Sequence, residues 1–117
     1  DTVEQIIENT RAGNDMRSLT DEERRDLMAE ANTLGDEFCR RCGYCAPCTV
    51  GIDIPSQFIM EGYYTRYNLQ DWAVSRYEAM DIRAKDCIEC GDCESRCPYD
   101  LPIIEMLKRV ERNLGRE

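Results

Sequence analysis

The spacing of apolar residues along this chain predicts helices from the first residues onward. Residues 2–11 place Val3, Ile6 and Ile7 on one side of a short helix. A helix of this length is marginally stable in water when isolated, so we expect it to pack against another part of the protein. No segment shows the alternation typical of a strand, and the predicted fold class is all-α.

The segment LTDEERRDLMAEANTLG predicts a second helix. Thr20 is a good N-cap, Glu23 completes a capping box with it, and Gly35 stands where a helix-ending glycine belongs. The apolar positions step by four and three along the chain: Leu27, Ala31, Leu34 and Phe38. This stripe is predicted to point toward the first group of cysteines. The charged positions are interpreted as a solvated helix face.

Three further helices are predicted in the second half of the chain. Pro55 suits the first turn of a helix that runs to about Tyr67, and residues 72–82 form the next. Pro102 opens the last helix, which ends at Gly115. Its predicted apolar face comprises Ile103, Ile104, Leu107, Val110 and Leu114.

All eight cysteines fall in two short runs, CRRCGYCAPC at 39–48 and CIECGDCESRCP at 87–98. The second run has the spacing of the bacterial ferredoxin motif for a [4Fe–4S] cluster, in which the fourth cysteine serves the other cluster of a two-cluster protein. This crossover rule predicts two ligand sets. One cluster is held by Cys39, Cys42, Cys45 and Cys97, and the other by Cys48, Cys87, Cys90 and Cys93.

Glycines and helix starts recur at matching places in the two runs. Gly43 and Gly91 each follow the second cysteine, where a positive φ lets the loop bend and aim amides at anionic sulfurs. Each run is followed by a proline-led helix, whose N-terminus is predicted to direct free N–H groups at a cluster. The segments CGYCAPCTVGIDIP and CGDCESRCPYDLPI share the order of cysteine run, short turn and proline-led helix, which indicates a duplication.

Two structural Cys₄ zinc sites are the main alternative for these cysteines, since Cys-x-x-Cys pairs also bind zinc. Zinc sites usually combine two separated pairs, so four closely spaced cysteines followed by proline favour iron–sulfur clusters over zinc or disulfides. Only two residues separate Cys48 from Cys45, a shorter gap than in the general ferredoxin spacing.

Composition narrows the classes of partner and compartment. The chain has 117 residues, a net charge of -9 and no histidine. An acidic chain lacks the basic face that nucleic acid requires. No apolar run approaches the roughly 18 residues of a membrane span, and no signal peptide is visible. Metal-binding cysteines without disulfides predict a reducing cytoplasm. Because Asp1 replaces an initiator methionine, the chain is expected to be part of something longer.

The motifs CGYCAPC, GIDIP, CIECGDCESRCP and LPI resemble the C-terminal ferredoxin-like extension of bacterial and archaeal aldo/keto reductases. The segments VEQIIENTRAG and LTDEE resemble the end of the reductase barrel. The resemblance implies a helical lead-in over 1–34 and an α-helical ferredoxin-like domain with two [4Fe–4S] clusters over 35–117. It also implies an NAD(P)-linked (β/α)₈ domain upstream. Thr49 departs from the family, which commonly has proline there.

No catalytic or dinucleotide-binding residue is predicted in this chain, which lacks both histidine and a glycine-rich phosphate loop. NAD(P) is therefore expected only in the upstream domain. Two functional hypotheses remain. Either the chain relays electrons between that reductase domain and a donor or acceptor protein, or its clusters are structural or sense oxidants without relaying electrons. The cysteine spacing does not separate them.

Two groups of side chains surround the cysteine runs in sequence. Six aromatic residues are interpreted as packing over the clusters, with a docking surface as the alternative: Phe58, Tyr63, Tyr64, Tyr67, Trp72 and Tyr77. The first run contains Arg40 and Arg41, whereas the second contains three carboxylates and Arg96. Nearby positive charge favours reduction, so the first cluster is predicted to be the easier to reduce.

Overall fold

The protein is described by a computed structural model that covers residues 2–15, 17–33, 35 and 37–115. Within these ranges the chain is helical and forms no strand, which confirms the predicted all-α class. It divides into two compact units, Asp1–Gly35 and Asp36–Glu117. The α-helices are α1 (Val3–Asn14), α2 (Asp21–Thr33), α3 (Ile54–Arg66), α4 (Gln70–Glu78), α5 (Asp92–Ser95) and α6 (Ile103–Leu114), with a 3-10 turn at Ala84–Asp86 between α4 and α5.

Helix α1 begins with a capping box that its sequence encodes. The amide of Thr2 donates to Oε1 of Gln5 at 3.0 Å, and the amide of Gln5 donates to Oγ1 of Thr2 at 3.3 Å. The two bonds satisfy amides that a helix start otherwise leaves without partners. The helix continues to Asn14, three residues beyond the predicted end at Arg11.

Helix α2 begins with the predicted capping box between Thr20 and Glu23. The Thr20 amide donates to Oε2 of Glu23 at 2.8 Å, and the Glu23 amide donates to Oγ1 of Thr20 at 3.2 Å. Arg17 adds two bonds to the same carboxylate, both 2.8 Å long. Hydrogen bonds from Arg17 and from the Thr20 amide lower the pKa of Glu23 to about 2. Gly35 follows the helix with φ +68°, as predicted.

Neither helix of this first unit buries a residue in the described part of the chain. Its exposed apolar positions include Val3, Ile6, Ile7, Leu27 and Ala31. Leu34, which was predicted to continue the apolar stripe of α2, lies outside the described residues. The expectation that α1 packs against another part of the protein stays a prediction.

The second unit holds the core, in which α3 packs against α4 and α6 and the last two also touch each other. Its buried apolar residues from these three helices are Ile54, Phe58, Ala73, Val74, Tyr77, Ile103, Met106, Leu107, Val110 and Leu114. Full burial of one large apolar side chain contributes about 1.5–3 kcal/mol. No helix within the described ranges is long and apolar enough to cross a membrane.

Helix α3 follows the prediction closely, from Ile54 to Arg66 with Pro55 in its first turn. Its start is fixed by Asp53, whose carboxylate accepts bonds from the amide and the hydroxyl of Ser56. Aspartate is a favoured N-cap, so the cap was readable from the sequence. The N-terminal turn of α3 therefore has a defined position immediately after the first cysteine run.

Helix α4 was predicted over residues 72–82 but spans Gln70–Glu78, so both predicted ends were wrong. The helix starts two residues earlier than predicted and includes Gln70 and Asp71. At the other end, the carbonyl of Ile82 accepts from Nε2 of Gln57 at 3.4 Å, which is a tertiary contact. Tertiary bonds of this kind replace helical ones, and sequence periodicity does not reveal them.

Helix α6 confirms the predicted last helix, including its end at Gly115. The predicted apolar face is buried except at Ile104, which is partly exposed. Met106 is buried at 2% exposure and was missed, because it lies beside the stripe that the other apolar residues define. The Gly115 amide donates to the carbonyl of Glu111 at 2.8 Å and closes the final turn.

Tyr77 supplies a polar connection within this core. Its side chain is fully buried, and its hydroxyl donates to the carboxylate of Glu111 on α6. The same oxygen accepts from the amide of Ala84 at 3.1 Å. Burial, followed by the bond to Glu111, raises the pKa of Tyr77. The phenol thus joins α4, α6 and the 3-10 turn in its neutral form.

Candidate metal centre

Two pockets in the second unit are lined by the cysteines. The first pocket is lined by Cys39, Cys42, Cys45 and Cys97, together with residues from the starts of α3 and α6. The second pocket is lined by Cys48, Cys87, Cys90 and Cys93. Each pocket has a volume of about 330 Å³, counting the space open to solvent. The cysteines are grouped as in the two predicted ligand sets, and ligation by them stays a prediction.

Equivalent cysteines of the two runs have equivalent burial. Cys45 and Cys93, the third of each run, are 8% and 7% exposed. Cys42 and Cys90, the second of each run, are exposed. Each pocket therefore has an inner side within the core and an outer side at the surface.

The two cysteine loops share a backbone conformation. Gly43 and Gly91 have φ values of +80° and +81°, which confirms the predicted positive φ. Arg41 and Glu89 also have positive φ, at 57° and 55°. The sequence did not indicate these two positions, because neither residue type favours that region. A non-glycine residue held there costs about 1–2 kcal/mol.

The strained positions bring amides to cysteine sulfurs. The amide of Arg41 donates to Sγ of Cys39, and the amide of Glu89 donates to Sγ of Cys87, each at 3.4 Å. Hydrogen bonds to sulfur stabilise the thiolate that a metal ligand must provide. The amides were predicted to act in this way, but they come from the residues before Cys42 and Cys90 rather than from the glycines.

The correspondence between the two runs extends past the fourth cysteine of each run. Gly51 and Asp100 both have positive φ, and their amides donate to the carbonyls of Cys48 and Cys97 at 3.0 and 3.2 Å. The next buried residues also correspond, in the pairs Ile52 with Leu101 and Ile54 with Ile103. The two turns therefore deliver equivalent side chains to the core.

The donor set of each pocket bears on which metal group it could hold. Within the described residues, no three cysteine, histidine or acidic side chains lie close enough together to hold one metal ion. Zinc requires its sulfur ligands about 2.3 Å from a common centre. Four cysteines line each pocket, and this donor set fits an iron–sulfur cluster, for which thiolate is the preferred donor.

Burial affects the chemistry of the metal-free thiols. It is the main cause that raises the pKa of Cys39 and of Cys45. Burial also raises the pKa of Cys93 to about 11. The positive charge of a metal must therefore displace these protons, and metal binding is coupled to proton release.

Backbone amides in the first turns of α3 and α6, the helices that border the pockets, donate hydrogen bonds to carboxylates of the chain. Ile54 and Ile104 lie at these starts and line pockets. The Ile104 amide donates to Oε1 of Glu94 at 2.9 Å, and Asp53 accepts from the amide of Ser56. The prediction that these helix ends offer free amides to a cluster is wrong at those two positions, because carboxylates already bind them.

Thr49 connects the two runs, although it departs from the proline expected there. Its hydroxyl donates to Oδ2 of Asp92 at 3.0 Å and lies 3.5 Å from Sγ of Cys90. Arg96 makes a second connection, since its Nη2 donates to the carbonyl of Pro47 at 2.9 Å. Proline in place of Thr49 would lack the hydroxyl that makes the first connection.

One charged residue of each run has a partner outside its run. Glu89 of the second run pairs with Nζ of Lys108 on α6 at 3.0 Å, and Glu105 of α6 binds the same cation at the same distance. In the first run, the guanidinium of Arg40 lies 5.2 Å from the ring centre of Tyr99. Since Glu105 offsets the charge of Lys108, these contacts leave the order of reduction of the two clusters as a prediction.

The aromatic group does not form one layer over the pockets. Phe58 lines the first pocket, whereas Tyr77 is buried between α4 and α6. Tyr63 packs edge-on against Trp72, with ring centres 5.0 Å apart. Tyr67 is 65% exposed and Trp72 is 43% exposed. The packing interpretation therefore applies to the pocket only at Phe58.

Parts of this chain are similar to a reductive dehalogenase and to components of two complexes. It is 40% identical over 65 residues to the trichloroethene reductive dehalogenase of Dehalococcoides mccartyi, covering 54% of this chain and 10% of that protein. It is 28% identical over 89 residues to a component of the ion-translocating oxidoreductase complex of Buchnera aphidicola, covering 73% of this chain and 17% of that protein. It is also 62% identical over 27 residues to the alpha 1 component of the acetyl-CoA decarbonylase/synthase complex of Methanopyrus kandleri, covering 23% of this chain and 4% of that protein.

The chain therefore spans less than a fifth of the length of these relatives. No solved structure gives a significant match. The aldo/keto reductase resemblance finds no support in these matches. A family model described as a 4Fe-4S dicluster domain matches residues 38–102, which include all eight cysteines. The chain belongs to the family of 4Fe-4S dicluster domains.

Proposed function

We propose that this iron–sulfur electron-transfer domain holds two [4Fe–4S] clusters and relays electrons within a larger oxidoreductase. The observation that carries the proposal is the interleaved lining of the pockets. Three cysteines of one run and the fourth of the other line each pocket, so all eight are used and none is shared. The first ligand set is Cys39, Cys42, Cys45 and Cys97, and the second is Cys48, Cys87, Cys90 and Cys93.

The chain supplies three conditions for reversible electron transfer. The inner side of each pocket is apolar, with Phe58 beside the first and Leu107 beside the second, which limits access of water. Amides bonded to Cys39 and Cys87 stabilise negative charge on sulfur. The exposed Cys42 and Cys90 give each pocket an edge that a redox partner can approach. When bound, such clusters exchange single electrons at potentials that these features tune.

The proposed context is a multi-domain or multi-subunit redox protein. The Buchnera relative belongs to an ion-translocating oxidoreductase complex, which supports a role beside a redox partner. The specific assignment to an aldo/keto reductase, with NAD(P) in an upstream barrel, rests on the sequence resemblance alone. A reducing cytoplasm is the proposed compartment, because it preserves thiolate ligands.

Iron analysis and spectroscopy of anaerobically prepared protein test this proposal. We expect about eight irons and eight acid-labile sulfides per chain, as two [4Fe–4S] clusters require. Reversible one-electron reduction of both clusters should appear in an EPR-monitored titration. Zinc without sulfide would reject the clusters. Full iron content with no reversible reduction would instead support the structural or oxidant-sensing alternative.

A further inference from the structure

The two pockets meet at one side chain. Among the described residues that line them, Ile54 is the one that both pockets share. It is 2% exposed and is the first residue of α3. Asp53 caps the helix directly before it, and Pro55 restricts the backbone directly after it. The side chain at the boundary is therefore held by a capped helix start.

The start of α6 contributes to the two pockets separately. Ile103 lines the first pocket, and its neighbour Ile104 lines the second. Ile103 corresponds to Ile54 in the duplicated turns and is equally buried at 2% exposure. It nevertheless lines one pocket only. Ile54 therefore lines both pockets and its counterpart Ile103 lines one, although the two turns share a backbone conformation.

We infer that Ile54 controls the coupling between the two clusters, which means the effect of each cluster on the potential and the EPR signal of the other. This inference rests on the proposed function. The side chain lies at the boundary between the two clusters. An electron that passes between them is lost by one cluster and gained by the other, and no proton moves with it. An apolar group there keeps water out, so a charge at one pocket is weakly screened from the other. Replacing it should affect both clusters at once.

The test compares Ile54→Ala with the matched variant Ile103→Ala in the full chain loaded anaerobically with iron and sulfide. Both remove the same atoms from equally buried positions. Two readouts come from EPR: the midpoint potential of each cluster, and the splitting that two neighbouring paramagnetic clusters cause in the fully reduced protein. The midpoints are assigned with Cys42→Ser and Cys90→Ser proteins, each of which loses a ligand of one cluster.

We expect Ile54→Ala to shift both midpoints and to change the splitting. Ile103→Ala should shift only the midpoint of the cluster in the first pocket and leave the splitting as it is. The inference is overturned when a fully loaded Ile54→Ala protein keeps the wild-type splitting, or shifts one midpoint only. Where the alanine variants do not load, Ile54→Val and Ile103→Val are read in the same way. A wild-type protein without two clusters contradicts the proposed function itself.

Discussion

Arg109 of α6 forms an ion pair with Glu61 of α3, with Nε 2.9 Å from Oε1. The Glu61 side chain is 8% exposed, and Nδ2 of Asn113 also donates to Oε1 at 2.9 Å. The bond to Glu61 is the main cause that raises the pKa of Arg109, which is already charged at all physiological pH values. A buried carboxylate is thus compensated where the two main helices of the core meet.

Replacing Arg109 with alanine should lower stability by about 1–3 kcal/mol, because Glu61 would be left buried with one neutral partner. The partial exposure of Arg109 places the effect below that of a fully buried pair. Thermal unfolding of the anaerobic holoprotein, followed by far-UV circular dichroism, measures the loss. Arg112→Ala is the control, since Arg112 is exposed on the same helix. Equal melting temperatures for both variants would contradict a stabilising role of the pair.

Tyr77 predicts a pH dependence at the alkaline end. Its pKa in the folded protein is raised from the ordinary value of 10.0, so the neutral phenol is favoured by folding. The resulting stability is fully present below pH 10 and is lost as the pH rises from there toward the folded pKa. Melting temperatures measured between about pH 8 and 11 should therefore fall less steeply for Tyr77→Phe than for the wild type.

Tyr67→Phe is the control for that comparison, because the Tyr67 side chain is 65% exposed. Its alkaline slope should equal that of the wild type. Tyr77→Phe should also be less stable at neutral pH by about 1–3 kcal/mol, since the Ala84 amide and Glu111 lose their partner. A wild-type alkaline slope in Tyr77→Phe would show that this phenol does not cause the effect.

The crossover of ligands gives matching pairs of variants. If the interleaved sets bind the clusters, Cys97→Ser should lose the same cluster as Cys42→Ser, although Cys97 belongs to the other run. Cys48→Ser should likewise match Cys90→Ser. The EPR spectrum and midpoint of the cluster that remains identify it in each protein, and the iron content should fall by about half. Cys97→Ser matching Cys90→Ser would show that each run binds its own cluster.

The strained backbone at Glu89 predicts a difference between two acidic residues that share a partner. Glu89 and Glu105 each lie 3.0 Å from Nζ of Lys108. Glu89→Val should destabilise the protein by about 1–2 kcal/mol more than Glu105→Val, because a β-branched residue tolerates positive φ poorly. Both variants remove one negative charge and one ion pair, so melting temperatures of the two isolate the backbone effect. A smaller effect at Glu89 would contradict the strain.

Sequence reasoning found most helices because their signals are local. Thr20 with Glu23 and Pro55 act through bonds or angles within one turn, and each marks a helix start in the structure. The apolar face of α6 was equally readable, since burial along one helix follows a fixed period. Hydrogen bonds from backbone amides to cysteine sulfurs were also predicted, because glycine after a cysteine indicates a tight loop.

Other features depend on partners that are distant in sequence. Lys108 of α6 binds Glu89 of the second cysteine run, and the carbonyl of Ile82 accepts a hydrogen bond from Gln57 of α3. The short helix α5 was missed, since its four residues lie within the cysteine run. Positive φ at Arg41 is imposed by the loop around the pocket. No periodicity or capping rule indicates such contacts before the chain is folded.

The interleaved pockets have a consequence for the order in which the chain is made. The first pocket includes Cys97 and the second includes both Cys48 and Cys93, so neither quartet is complete until nearly the whole second run exists. A growing chain on the ribosome would hold three cysteines of the first quartet while the fourth, Cys97, is not yet made. Cofactor insertion would therefore wait until synthesis is almost finished, and both sites would become ready within a few residues of each other.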